Sequence, residues 1–441
     1  MRSPFSTLTV AAALLALSAS SALRAAQAEV LDAEASDPVR LGWMVGAPPP
    51  PERQLRFDDG SYFQFPALRW SVAHFRQLMP TLNISRGLGA PVPLARALRA
   101  DLDAVQFTPL GGAAPMTWAQ SLAANYTDGI VVLHKGRIVY ERYFGALDER
   151  GQHAAMSVTK SVTGTLGAML VAEGRLDENR RVSDYVPELA SSAFGDATVR
   201  QVLDMTTGLQ YSEDYADPKA EVWAFSQAGS PLPKPKDYAG PRSYHEYLQT
   251  VRPEGEHGAA FAYKTVNSDA LGWIIARATG RNVAELLSER IWSRIGAEQD
   301  AYITVDSTGT PFAGGGLNTG LRDLARFGEL LRNHGRFQGQ QIIARAVVDD
   351  IRRGGDRAAF ARAGYALLPG WSYRNMWWVT HQADGAFMAR GVHGQRIYVN
   401  PEAAVVIVRY ASHPVASNSA NDPVTLPAFD AIARHLLTTL R

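Results

Sequence analysis

Met156-Ser157-Val158-Thr159-Lys160-Ser161 decides how this chain is read. It sets a hydroxyl and an amine three residues apart, at the mouth of an apolar run that ends near Val171. Residues i and i+3 share one face of a helix. The amine can then sit beside the hydroxyl as nucleophile and base. Serine is a poor nucleophile without a base, and a lysine becomes one when burial lowers its pKa. This is the only S-x-x-K in the 441 residues, and only six of the 44 basic residues are lysine. Arginine does not release its proton, so a lysine in an apolar run is a meaningful choice. At a helix start the Ser157 N–H would also be free to hold an oxyanion. The competing local reading makes Ser157 a helix N-cap, with Lys160 reaching back to solvent.

Working outward, Ser157 to Glu173 reads as a helix ended by Gly174, apolar on nearly all sides and therefore buried. Upstream, the β-rich runs 129–135 and 137–143 meet at Lys135-Gly136 and read as a hairpin. Downstream, helices are expected over 198–205, 270–278, 283–295 and 322–331. Strands are expected over 374–380, 395–399 and 404–410, and an amphipathic helix over 429–440. Strands come early and late with helices between. That order predicts an α/β (α+β) sheet domain closed by both termini, plus a helical insertion. The expected organisation is a signal peptide over 1–28, an N-terminal extension or arm over 29–100, and the main domain over 101–441, with a helical insertion at about 175–300. Pro48 to Pro51 read as a polyproline-like linker.

Hydrophobic residues make up 46% of the chain and charged residues 20%, with a net charge of +1. No basic block points to nucleic acid, and no metal or phosphate-loop signature is visible, so no cofactor or metal is expected. Arg2, the apolar run Leu8 to Leu17 and Ala26-Gln27-Ala28 form a secretory signal pattern. A periplasmic or secreted location is expected, with no membrane attachment after cleavage. The chain has no cysteine, which excludes a disulfide framework.

A third group must move protons between nucleophile and leaving group. Tyr211, Tyr215, Tyr244 and Tyr263 are the candidates, and Tyr263 stands on a loop-like segment before a helix, a setting suited to site residues.

Several stretches, taken with the S-x-x-K, resemble one family. They are Glu173-Gly-Arg-Leu-Asp177, Val182 to Leu189, Val202-Leu-Asp-Met-Thr-Thr-Gly-Leu209, Tyr211 to Tyr215, Tyr263-Lys-Thr-Val-Asn-Ser-Asp269, Trp377-Trp378 and Gly391-Val-His-Gly-Gln395. From about Trp70 to the C-terminus the chain resembles the class C β-lactamase and serine esterase superfamily, and within it the 6-aminohexanoate-dimer (nylon oligomer) hydrolases. The resemblance implies a β-lactamase/transpeptidase-like fold, an antiparallel sheet flanked by helices with an inserted helical domain. It also implies Ser157 as nucleophile, Lys160 as base partner and Tyr263 as proton relay. The N–H groups of Ser157 and Val392 would form the oxyanion hole. Tyr215, on a mobile loop, would contact the substrate amide, and Trp378 would wall the pocket; plain core packing is the alternative for the Trp377-Trp378 pair. His393 lies in the strand motif, and Ser226 and Gly314 stand where residues tuned to amide substrates are expected.

Two departures narrow the reading. Asn267 lies four residues after Tyr263, so the β-lactamase Y-x-N spacing is absent. Val392-His393-Gly394 replaces K-T-G, so the lysine that would engage a β-lactam carboxylate is missing. Ser226 offers no carboxylate for a cationic amine, although Asp217 and Glu221 lie nearby. The expected function is a secreted serine hydrolase of carboxylic esters and small linear amides such as 6-aminohexanoate oligomers. The rivals are a β-lactamase or D,D-peptidase, and a non-catalytic sensor on the same fold. The expected partner is a small ester or amide; a homodimer is one assembly open to the chain.

Overall fold

The computed structural model describes residues 30–112 and 114–438. The expected signal segment 1–28 and the end of the closing helix lie outside the described residues.

A seven-stranded antiparallel sheet forms the centre, with strands in the order 372–374, 377–379, 387–391, 395–400, 405–411, 127–134 and 137–143. Ile130 to Leu133 form a continuous apolar run, and all eight residues of Thr127–His134 are buried, as a strand covered on both faces requires. Lys135 and Gly136 both take left-handed φ, 52° and 74°. That is the two-residue turn whose twist matches a hairpin. The C-terminal strands pair on the other side, with Ile407 opposite Val132. Both ends of the chain therefore close one sheet, as the order of elements predicted.

Helices Val158–Ala172 and Leu321–Arg332 pack on one face of the sheet, and the closing helix Asp422–Thr438 packs on the other. A smaller antiparallel sheet orders 81–84, 301–304, 317–320 and 152–154, and its last strand runs directly into Ser157. The N-terminal extension supplies the edge strand 81–84 and a buried patch of Leu68, Val72 and Phe75 that packs with Met156 and Tyr302.

Three expectations need correcting. Residues 374–380 are not one strand but part of a hairpin, Ser372–Arg374 with Trp377–Val379, turning at Asn375 and Met376 in left-handed φ of 48° and 63°. No glycine or proline marks that turn. Strand Phe387–Gly391 was not foreseen. The closing helix starts at Asp422, not Phe429, and runs through Pro427. Proline removes the N–H that would bond the carbonyl four residues back. Here that carbonyl, Pro423 O, accepts instead from Leu110 N at 2.9 Å, so the helix continues.

Candidate active site

Met156, in a left-handed φ of 46°, turns the chain out of the strand so that Ser157 stands at the mouth of the helix. Such conformations cost of order 1–3 kcal/mol and persist only where packing imposes them. Ser157 makes no side-chain capping bond. Its Oγ lies 2.8 Å from Lys160 Nζ, and Lys160 is buried. The competing N-cap reading, with a solvent-seeking lysine, is therefore not what the helix does.

The second partner of Lys160 Nζ is the carbonyl of Gly314, at 2.7 Å. Burial lowers the pKa of Lys160, while the negative charges of Glu213 and Asp269 oppose that. Desolvation is the larger influence, so the amine is moved towards its neutral, basic form. Asp269 is itself buried, and burial raises its carboxyl while Lys160 holds it down.

Tyr263 lines the same cavity as Ser157, and Lys160 Nζ lies 5.1 Å from the centre of its ring. Burial raises its phenol well above the ordinary range, with the Glu213 charge adding to this and the nearby Ser157 hydroxyl opposing it. A tyrosine held protonated beside the nucleophile can donate a proton and later take one back. Of the other candidates, Tyr211 and Tyr244 pack in the core around Phe225.

Ser157 and Tyr263 open into a cavity of about 870 Å³ that is also lined by Tyr215, Trp378, Val392 and His393. The Ser161-to-Thr165 turn of the helix fixes one wall. Ser161 Oγ donates to Met376 O at 2.6 Å, and Trp377 Nε1 lies 3.1 Å from Ser161 O and 3.0 Å from Thr165 Oγ1. Strand alternation then splits the tryptophan pair. Trp377 is core, whereas Trp378 faces the cavity with its ring 5.5 Å from that of Tyr263. Strand 387–391 delivers Val392 beside Ser157. His393 takes a left-handed φ of 60°, and its Nδ1 lies 2.7 Å from His413 O. Tyr215 stands edge-on to Trp223 at 5.9 Å.

Two expected residues sit elsewhere. Ser226 is exposed, and its hydroxyl donates to Val222 O of its own helix at 2.8 Å. Gly314 faces Lys160 rather than the cavity. A side chain there would collide with Thr265, 2.5 Å from the added carbon. Three residues were not foreseen: Glu213, in the cavity wall and bonded by Thr265 N, Asp269 behind Lys160, and Arg390. Glu213 and Asp269 lie within stretches already quoted, but nothing in their spacing marks them as neighbours of the lysine.

Comparisons with known proteins identify the family. Residues 119–426 match the family model "Beta-lactamase". A 6-aminohexanoate-dimer hydrolase of Paenarthrobacter ureafaciens is 36% identical over 356 residues, 80% of this chain and 88% of that protein. The solved structure of a Bacillus anthracis protein assigned as a 6-aminohexanoate-dimer hydrolase superposes with a TM-score of 0.79 at 32% identity, covering 87% of this chain and 99% of that one. A family VIII carboxylesterase shares the fold at a TM-score of 0.51 and 18% identity, over 71% of this chain and 96% of that one.

Proposed function

Because this chain belongs to the Beta-lactamase family and is a serine hydrolase, we propose that it cleaves carboxylic esters and small linear amides, of the 6-aminohexanoate-oligomer kind, through an acyl-enzyme on Ser157. The observation that carries this is the 2.8 Å contact between Ser157 Oγ and a buried Lys160 Nζ at the cavity wall.

In this reading Ser157 attacks the carbonyl carbon as Lys160, in its neutral form, takes its proton. The N–H groups of Ser157 and Val392 hold the oxyanion, a contribution of about 3 kcal/mol per donor. Tyr263 protonates the leaving alcohol or amine. Water then attacks the acyl-enzyme with the same groups acting as base. Tyr215 and Trp378 flank the bound chain. Position 392 is valine, so a β-lactam carboxylate meets no lysine there, which favours esters and linear amides over penicillins. The pattern of Arg2, the apolar run and Ala26-Gln27-Ala28 supports export to the periplasm or beyond.

The test is a panel of nitrophenyl esters, linear amides and a chromogenic cephalosporin, run with a fluorophosphonate label. Wild type is expected to turn over esters and take the label, and Ser157→Ala to do neither. No ester turnover and no labelling would defeat the catalytic reading. Full activity in Ser157→Ala would defeat the site, and cephalosporin turnover matching the esters would favour a β-lactamase.

A further inference from the structure

The cavity at Ser157 has one lining residue from the N-terminal extension, Phe63. Aromatic contacts divide that lining into two ends. At one, Tyr263 and Tyr365 both pack on Trp378, with ring centres 5.5 and 5.4 Å away. At the other, the Phe63 ring stands edge-on to His393 at 5.6 Å. Phe63 and Val392 also pack together against the buried patch that contains Met156. This second end is apolar, with Pro414, Val415 and Ala416 completing it. Backbone bonds hold that loop: His393 N donates to Ala416 O at 3.0 Å, and His413 N to His393 O at 3.1 Å.

The extension is fastened to the same parts. Six residues after Phe63, the buried Arg69 guanidinium reaches Asp128 of the central sheet at 3.3 Å, Ser36 Oγ at 2.9 Å and Ser412 Oγ at 3.1 Å. A buried charge broken from its partners is strongly destabilising, so this anchor is stiff. Ser412 leads directly into the 413–416 loop, so one side chain ties both apolar walls to the sheet. Ala154 N donates to Val72 O at 2.7 Å, which ties the extension to the strand that runs into Ser157.

A bound ester or amide carries two groups on its carbonyl carbon. The leaving group must face Tyr263, its acid, so the acyl group is directed to the other end, where Phe63 stands. Of the lining carboxylates among the described residues, Glu213 and Asp214 adjoin Tyr215, and Asp422 pairs with Arg390 and Arg396. The Phe63 end therefore offers an ammonium no counter-charge, and burying one there is costly.

We propose that Phe63 is a specificity-determining residue: it forms the end wall of an apolar acyl subsite, through which the N-terminal extension sets the length of the acyl chain. The favoured acyl groups are uncharged aliphatic chains. This rests on the acyl-enzyme reading above, and the experiment keeps the two apart.

Turnover is measured with nitrophenyl acetate, butanoate, hexanoate and octanoate. Phe63→Ala should raise kcat/KM for octanoate relative to acetate by roughly tenfold or more, at about fourfold for each methylene newly buried. Phe63→Trp should lower the same ratio. A purely structural side chain would affect all four esters alike, so a parallel loss, or an unchanged ratio, overturns the wall. A second comparison needs no substitution at Phe63: wild type should prefer nitrophenyl hexanoate to nitrophenyl 6-aminohexanoate by about tenfold, and the reverse preference overturns the apolar acyl end. Binding is read apart from chemistry, by calorimetry with butanamide and octanamide. Ser157→Ala/Phe63→Ala should gain affinity for octanamide over butanamide relative to Ser157→Ala; no gain opposes the wall. If no ester is cleaved while that gain appears, the acyl-enzyme reading fails and the wall stands. If the esters are cleaved with an unchanged length profile, the wall fails alone.

Discussion

Gly391 brings its backbone so close to Ser157 that a Cβ added there would stand 3.0 Å from Ser157 N and 2.9 Å from Ala155 O. Both neighbours are backbone, so neither can swing aside. The strand that carries Val392 is held against the nucleophile by the lack of one methyl group. Gly391→Ala should therefore widen the space between the two proposed oxyanion donors. An about 10²-fold loss in kcat with little change in KM is expected, since a displacement near 1 Å costs that much. Steady-state kinetics on a nitrophenyl ester would read it, and unchanged kcat would place the oxyanion elsewhere.

Lys160→Met separates chemistry from stability. Loss of the base should cut kcat/KM by roughly 10²–10⁴-fold. The fold should not suffer in proportion, because a buried amine is replaced by an apolar side chain of similar volume. Thermal melting beside kinetics tests both halves, and a collapse of the melting temperature would show that Lys160 is held for structure.

The pH profile follows from the charges around the amine. Lys160 acts when neutral, so kcat/KM should rise with pH as it loses its proton, and burial brings that rise below the range of an ordinary lysine. Glu213 opposes this by favouring the ammonium. Glu213→Gln should therefore move the acidic limb to lower pH. A limb that stays in place or moves upward would contradict the coupling.

His393 sets an acid limit on stability. Burial lowers its pKa from 6.5 to about 4. Between those values the unfolded chain binds a proton that the folded chain refuses, so stability falls as pH drops from 6.5 towards 4, by up to about 3 kcal/mol from this group. Denaturant melts of wild type and His393→Gln across that window should converge as pH falls. A constant gap would remove His393 as the cause.

Gly164 is the contact between the nucleophile helix and the 375–376 turn. A Cβ there would lie 2.3 Å from Asn375 O and 2.8 Å from Met376 Cβ. Alanine is the better helix former by ~1 kcal/mol, yet Gly164→Ala should destabilise, because overpacking a core costs ~1–3 kcal/mol. It should also disturb Trp378 and raise KM. A stabilised variant would mean that the turn yields freely.

The sequence made the local parts of this site legible and left its long-range parts hidden. Ser157 and Lys160 are three residues apart, so helical geometry alone predicts their contact, and Lys135-Gly136 carries its turn in its chemistry. The Asn375-Met376 turn carries no such sign, because its left-handed residues are imposed by Ser161 and Gly164 of a helix more than 200 residues away. Glu213, Asp269 and Arg390 are ordinary charged residues until the sheet register and loop packing bring them together. Ser226 shows the converse error: a place inherited from a resemblance, with a hydroxyl spent on its own helix.

The bonds from Ser161 and Thr165 to the Met376-Trp377 segment tie nucleophile, base and aromatic wall into one stiff unit. Much of the remaining lining comes from connecting segments, 214–216, 364–368 and 414–419. Adaptation to new substrates thus has a natural division of labour. Changes in those three segments can reshape what is accepted without retuning the reaction itself, whereas a change along the Ser161–Trp377 seam alters both at once. A directed-evolution library confined to the three segments should be rich in altered specificity and poor in dead protein.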